Sequence, residues 1–168
     1  RRQRQMCIRD RDRSVDFKNH CGAFVVKPTN GGSSVGVEII KEGNQVPIIN
    51  SATSYNLMAE EYVGSKELTV TVLQEQPLCV TEIKAGQDKD FYNYQAKYEK
   101  NGSIHDIPAK ISRDTYNQAM SWALRAHQIL GCKGISRSDF RYDDENNKLY
   151  MLEINTQPGM TETSLSPE

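Results

Sequence analysis

The sequence predicts an α+β chain built mainly from antiparallel strand pairs, and three observations carry that expectation. Lys66–Leu73 alternates Leu68, Val70 and Val72 against Thr69 and Thr71, the period-two pattern of a half-buried strand. Helical periodicity is convincing in one segment, where Tyr116, Ala119, Met120, Ala123, Leu124, His127 and Leu130 share a face between the N-cap candidate Ser112 and the stop at Gly131. Ile135–Tyr142 and Leu149–Asn155 flank the turn-rich run Asp143-Asp144-Glu145-Asn146-Asn147-Lys148, which spells a hairpin.

Taken in chain order, residues 1–13 have neither helical nor strand periodicity and read as a non-native leader, set apart from the fold. Ala23–Lys27 is a short β-rich run stopped by Pro28, and Val35–Lys41 is a second, with a Gly/Ser loop between them. Leu57–Val63 and Lys66–Leu73 are the next two strands. Residues 85–110 are polar, carry Phe91, Tyr92, Tyr94 and Tyr98 without a period, and read as a long loop of the kind that often serves function. The helix after Ser112 and the closing hairpin complete the order. Trp122 is read as a packing residue, and His20, His105 and His127, being scattered, as surface or packing residues.

The chain has 168 residues, 37% hydrophobic and 26% charged, which is one domain's worth of sequence and slightly short of apolar surface. Its 21 Lys+Arg nearly balance 22 Asp+Glu, so no global field draws it toward nucleic acid or an anionic membrane. The leader's six Arg and two Asp give it +4 and leave the rest at −5 for the total of −1. No apolar run approaches the roughly 18 residues of a membrane span, and no secretion signal is visible. Cys7, Cys21, Cys79 and Cys132 stand far apart, which favours reduced thiols over disulfides or zinc.

Three features carry chemistry. The first is Lys27-Pro28-Thr29-Asn30-Gly31-Gly32-Ser33-Ser34-Val35-Gly36, where glycines free backbone N–H groups to face an anion and a strand-borne lysine can reach the same phosphates. No Gly-Lys-Ser/Thr opens a helix here, so it is not a P-loop, and taken alone the segment reads first as an ordinary hairpin turn. The second is the last hairpin. Alternation puts Arg137, Asp139 and Arg141 on one face of its first strand and Glu153 and Asn155 on one face of the second. Pairing Tyr142 with Tyr150 would set Asp139 opposite Glu153 and Arg137 opposite Asn155. Two carboxylates and an amide oxygen beside an arginine suit Mg²⁺, although a solvated charged face gives the same alternation. Glu153, set between Leu152 and Ile154 in an otherwise apolar strand, brings the metal reading level with that one. The third is the tight turn Asn155-Thr156-Gln157-Pro158-Gly159-Met160-Thr161, whose N–H groups could face a reacting carbonyl.

In this order and spacing the three features resemble the catalytic part of the ATP-grasp ligases, and most closely the D-alanine–D-alanine ligases. The resemblance covers about residues 22–168. It rests on Phe24-Val25-Val26-Lys27-Pro28, Gly32-Ser33-Ser34-Val35-Gly36, Glu60-Glu61-Tyr62-Val63, Lys66-Glu67-Leu68-Thr69-Val70, Phe91-Tyr92-Asn93-Tyr94-Gln95-Ala96-Lys97-Tyr98, Arg137-Ser138-Asp139, Leu152-Glu153-Ile154-Asn155-Thr156 and Pro158-Gly159-Met160-Thr161. It implies an ATP-grasp fold with two antiparallel-sheet lobes clamping ATP, a partial small lobe at 14–63 and a large lobe at 64–168 truncated at its C-terminus.

The same resemblance implies the roles. Lys27 would hold the α/β-phosphates, and Ser33 and Ser34 with their loop would cover the γ end. Glu60 and the Val63 backbone would read the adenine, and Glu67 the ribose. Asp139, Glu153 and Asn155 would carry two Mg²⁺ ions, for which Mn²⁺ could substitute, while Arg137 and the Gly159 N–H would stabilise the developing oxyanion. Lys97 and Tyr98 would close over the site, and Ser164 with Leu165 would bind the second substrate's carboxylate. The implied reaction phosphorylates one D-alanine with ATP and joins it to a second, making D-alanyl-D-alanine for peptidoglycan and hence cell-wall biogenesis and cell shape. The resemblance further implies a cytoplasmic homodimer with no nucleic-acid or membrane partner.

The chain departs from the family pattern at Gly31, where an acidic residue is usual, and in lacking a clear helix between Lys41 and Leu57. The family's N-terminal domain, a further phosphate-binding lysine and its closing helix have no counterpart, so the 168-residue chain alone is expected to bind nucleotide without turnover. A related ligase that joins D-alanine to D-lactate, or an inactive nucleotide-binding fragment, stays open. Tyr98 speaks against D-lactate, since depsipeptide-forming relatives tend to differ there.

Overall fold

The computed structural model describes residues 8–9, 22–30, 34–41, 57–85 and 103–160. They belong to two compact units, Arg1–Tyr62 and Val63–Glu168.

In the first unit β1 (Ile8–Arg9), β2 (Phe24–Pro28), β3 (Glu38–Ile40) and β4 (Leu57–Glu61) form an antiparallel sheet in the order β1-β4-β2-β3. Phe24 opposes Ile40 and Val26 opposes Ala59, so the period of two gathers these four on one buried face, where Leu57 packs against them. Several boundaries differ from the sequence reading. Strand β2 runs Phe24–Pro28, so Pro28 is its last residue, paired opposite Leu57, where the missing N–H costs little of the ladder. The strand expected over Val35–Lys41 shrinks to Glu38–Ile40, because Ser34 (φ 59°) and Gly36 (φ 72°) turn the chain first. The strand expected over Leu57–Val63 ends at Glu61. Residues 1–13, expected to lack a strand, include one that pairs Ile8 with Ala59 and Arg9 with Met58 at the sheet edge.

The second unit is a five-stranded antiparallel sheet in the order β7-β6-β5-β8-β9, with β5 Lys66–Leu73, β6 Gln76–Ala85, β7 Ser103–Asp106, β8 Ile135–Asp143 and β9 Lys148–Asn155. Helix α1 (Arg113–Ile129) packs on one face. Leu68, Val70, Val72, Val80, Phe140, Tyr142 and Leu149 from the sheet meet Ala119 and Ala123 from the helix in a single core. Both alanines are fully buried, and their small side chains let α1 lie close to the sheet. Ser112 caps α1, accepting from the Thr115 N–H at 3.1 Å. Gly131 (φ 63°) ends it in a Schellman arrangement, with the Cys132 N–H donating to the His127 carbonyl at 2.9 Å and the Gly131 N–H to Gln128 at 3.0 Å.

The loop reading of 85–110 is corrected at Ser103–Asp106, which pairs with β6 as an edge strand. The aromatic stretch of that loop, like the segment 42–56, lies outside the described residues. His127 is a packing residue, buried with Nδ1 2.7 Å from Ser136 Oγ. Leu130 is exposed, because it caps the helix rather than continuing its face, and Trp122 lies on the outer side of α1 instead of in the core. Cys79 and Cys132 are free thiols. Among the described residues no helix is long and apolar enough to cross a membrane.

Candidate active site

With α1 covering one face of the large sheet, alternation sends the polar residues of β5, β8 and β9 to the other. Thr71, Thr69 and Glu67 on β5 stand directly opposite Arg137, Asp139 and Arg141 on β8. Arg137 and Asp139 in turn stand opposite Asn155 and Glu153 on β9. The hairpin thus brings together the four residues expected there.

The pairing that supports this differs from the one read in the sequence. Tyr142 pairs with Leu149, not with Tyr150, and the register slips by one residue between Asp139 and Phe140. Leu152 is the extra residue of this β-bulge and is half-exposed, as an unpaired bulge residue would be. From the turn to Phe140 the ladder follows one register, and from Asp139 onward the bulge restores the alignment of carboxylate with carboxylate.

Asp139 is held tightly. Arg137 grips it with a fork, Nε to Oδ1 at 2.8 Å and Nη2 to Oδ2 at 2.8 Å, and the Thr69 hydroxyl donates to Oδ1 at 2.7 Å. Asn155 Oδ1 accepts from the Gln157 N–H at 2.9 Å, which opens the turn leading to Gly159 while leaving that oxygen a second lone pair. Glu153 and Gly159 are exposed. Arg141 is buried and reaches along the sheet to the start of the unit. Its Nε donates to the Val63 carbonyl at 3.2 Å and its Nη2 to the Gly64 carbonyl at 2.8 Å, and Nη1 lies 3.6 Å from Glu67 Oε2. The residue expected to read adenine through its backbone and the one expected on the ribose share one arginine.

At the far end of the hairpin, Asp143 accepts from the Asn146 side chain at 2.8 Å and its N–H at 3.0 Å, which holds the Asp143 carboxyl below its ordinary value. The Ser65 hydroxyl, donating at 2.8 Å, does the same for Asp144.

In the first unit, Lys27 and Glu60 lie on neighbouring strands β2 and β4, with Lys27 Nζ 2.6 Å from Glu60 Oε2. Ser34 takes a left-handed backbone conformation at the rim of the glycine loop. Ser33, Lys97, Tyr98, Ser164 and Leu165 lie outside the described residues.

The hairpin's donors fit a magnesium ion. Asp139, Glu153 and Asn155 offer hard oxygens from facing positions, two of them anionic. Among the described residues no group of three or more His, Cys, Asp or Glu is placed to hold a metal ion, and the set on the hairpin is two carboxylates with an amide oxygen. Sequence reasoning missed the part played by Thr69. The signal was present, since the alternation of β5 already placed Thr69 on the polar face.

Residues 11–168 match the family described as D-ala D-ala ligase C-terminus. The chain belongs to that family. It is 51% identical over 148 residues to a D-alanine–D-alanine ligase of Acidiphilium cryptum (strain JF-5), covering 86% of this chain and 48% of the relative. The chain therefore spans about half the length of the curated D-alanine–D-alanine ligases it matches. The crystal structure of D-alanyl-alanine synthetase A from Vibrio cholerae O1 biovar eltor str. N16961 superposes with a TM-score of 0.78 at 25% identity, over 97% of this chain and 53% of that one. A D-alanine–D-alanine ligase from Bacillus anthracis, solved in complex with ATP, shares the fold at a TM-score of 0.70 and 20% identity, over 98% of this chain and 52% of that one. The ATP-grasp α+β fold expected from the sequence is thus the observed one.

Proposed function

We propose that the protein carrying this chain joins two D-alanine molecules at the expense of ATP, through an acyl phosphate, to supply D-alanyl-D-alanine for peptidoglycan precursors. The observation that carries the reading is the facing set Arg137, Asp139, Glu153 and Asn155 on one side of a sheet built as in the D-alanine–D-alanine ligases. A carboxylate is a poor acyl donor, and transfer of the γ-phosphoryl of ATP makes it a reactive one that the second amine can attack.

In this reading Asp139, Glu153 and Asn155 hold Mg²⁺, two ions by family analogy, which neutralises phosphate charge when bound. Arg137 and the Gly159 N–H face the charge that develops on the reacting carboxyl. Lys27 contacts the α/β-phosphates, exchanging its Glu60 partner for them, while Ser33 and Ser34 cover the γ end. Glu60 and the Val63 backbone hold adenine, and Glu67, steadied by Arg141, holds ribose. Lys97 and Tyr98 shield the acyl phosphate from water, and Ser164 with Leu165 receives the second substrate's carboxylate. A cytoplasmic homodimer completes the proposal.

The test is ADP release by the protein, extended to the length of its relatives, with D-alanine, L-alanine or D-lactate beside D-alanine. Release that requires D-alanine alone and yields the dipeptide supports the reading. Equal release with D-lactate as second substrate, or none with D-alanine, would overturn it.

A further inference from the structure

We propose that Thr69 is a positioning residue for Asp139, fixing which carboxylate oxygen is available to the metal; this rests on the metal role given to Asp139 above. Thr69 is buried on β5 directly opposite Asp139, and its Oγ1 lies 2.7 Å from Asp139 Oδ1 and 3.2 Å from the Ser138 carbonyl. A hydroxyl has one proton, and the shorter, charge-assisted bond to Oδ1 takes it. A β-branched side chain in a strand keeps few χ1 choices, so the aim of this donor is set by the backbone.

The count of donors then separates the two oxygens. Among the described residues, Oδ1 receives Arg137 Nε and Thr69 Oγ1, while Oδ2 receives only Arg137 Nη2. Each carboxylate oxygen offers about two lone-pair sites, so Oδ1 is filled and Oδ2 keeps one for a cation. Arg137 alone could not do this. Its fork grips both oxygens alike, and as a cation it competes with a metal for the same charge. Thr69 is neutral, so it orients the carboxylate without drawing further on its negative charge. Partners of this kind behind a metal ligand are typically worth about 10- to 100-fold in metal affinity.

The experiment compares Thr69→Val, Thr69→Ser and Asp139→Asn in the protein carrying this sequence, with a non-hydrolysable ATP analogue present. Mn²⁺ binding is followed by loss of the free-ion paramagnetic resonance signal. Thr69→Val, which keeps the shape and removes the donor, should weaken Mn²⁺ binding about 10- to 100-fold. Thr69→Ser should stay within about threefold of the parent because it keeps the hydroxyl. Asp139→Asn should weaken binding at least as much as Thr69→Val. In turnover, the Mg²⁺ dependence should shift in Thr69→Val while the KM for D-alanine stays put, a split that a general loss of structure would not give. If Asp139→Asn loses Mn²⁺ and Thr69→Val binds it as the parent does, the positioning role is wrong and the metal site stands. If Asp139→Asn binds Mn²⁺ normally, the metal assignment itself falls and the inference with it. Should Thr69→Val fail to fold, Thr69→Ala removes the same hydroxyl and is read by the same criteria.

Discussion

Asp139 accepts three hydrogen bonds from two side chains, and its opposite number Glu153 stands exposed on the neighbouring strand. In the proposed metal site the contrast would divide the labour, with one carboxylate pre-set by its neighbours and the other open to what binds. Replacing either should abolish chemistry for different reasons. Asp139→Ala removes the carboxylate that the Arg137 fork grips, whereas Glu153→Gln keeps the shape and removes only the anion. For both, kcat should fall at least about a hundredfold, as expected when charge stabilisation of a transferring phosphoryl group is removed. A coupled ADP assay at several Mg²⁺ concentrations measures it, and near-parental rates at modest Mg²⁺ in either variant would contradict the assignment.

At the scale of elements, the β8–β9 hairpin shows how much could be read and where reading stopped. Alternation alone gave the faces of Lys66–Leu73 and of the hairpin, because a period of two needs no knowledge of the partner strand. The opposition of Asp139 and Glu153 was expected through a Tyr142–Tyr150 pairing that does not exist. A bulge has no marker in the residue string, since Leu152 looks like any apolar strand residue. Ser103–Asp106 hid for a related reason: four residues in a polar stretch acquire strand geometry only by pairing with β6. Leu130 fits the helical period but is the C-cap of α1, past the last turn that meets the sheet, and Trp122 was taken as packing from its apolar character alone, which does not fix its side of the helix.

The hairpin turn also carries a pH response. The Asp143 carboxyl is held below its ordinary value of 3.8, chiefly by the Asn146 side chain and then by its N–H. A carboxylate whose folded-state value is depressed favours folding above the unfolded value, and that contribution disappears as pH falls through the folded one. Melting measured between pH 6 and pH 3 should therefore show Tm falling below about pH 4. Asp143→Asn should lower Tm at pH 6 and flatten the acid slope. An identical slope in the variant would remove Asp143 from the account.

For the molecule as a whole, Gly64 at the entry into the second unit is, among the described glycines, the one that backbone presses most closely. Gly64 has φ 68°, and a Cβ there would lie 2.8 Å from the Tyr142 carbonyl carbon and 2.9 Å from its nitrogen and oxygen. Both the conformation and the contact with backbone atoms exclude larger residues. Gly64→Ala should destabilise the unit by at least about 2 kcal/mol, from left-handed strain plus overpacking. Urea unfolding followed by Trp122 fluorescence reads this directly. A shift in free energy below about 0.5 kcal/mol, the range of ordinary surface substitutions, would show that the strand yields.

The same entry point has a mechanical meaning. Arg141 binds the carbonyls of Val63 and Gly64, the Ser65 N–H donates to the Tyr142 carbonyl at 3.1 Å, and the Ser65 hydroxyl donates to Asp144 at 2.8 Å. Tension arriving along the chain from Tyr62 is therefore shared among bonds to β8 before it reaches the ladder of β5. The strand that bears this load is the one that carries Arg137 and Asp139. A tug on the polypeptide ahead of Val63 is felt on the strand that carries Asp139, and an optical trap pulling on that segment would load the residue proposed to hold the metal before it stripped β5 away.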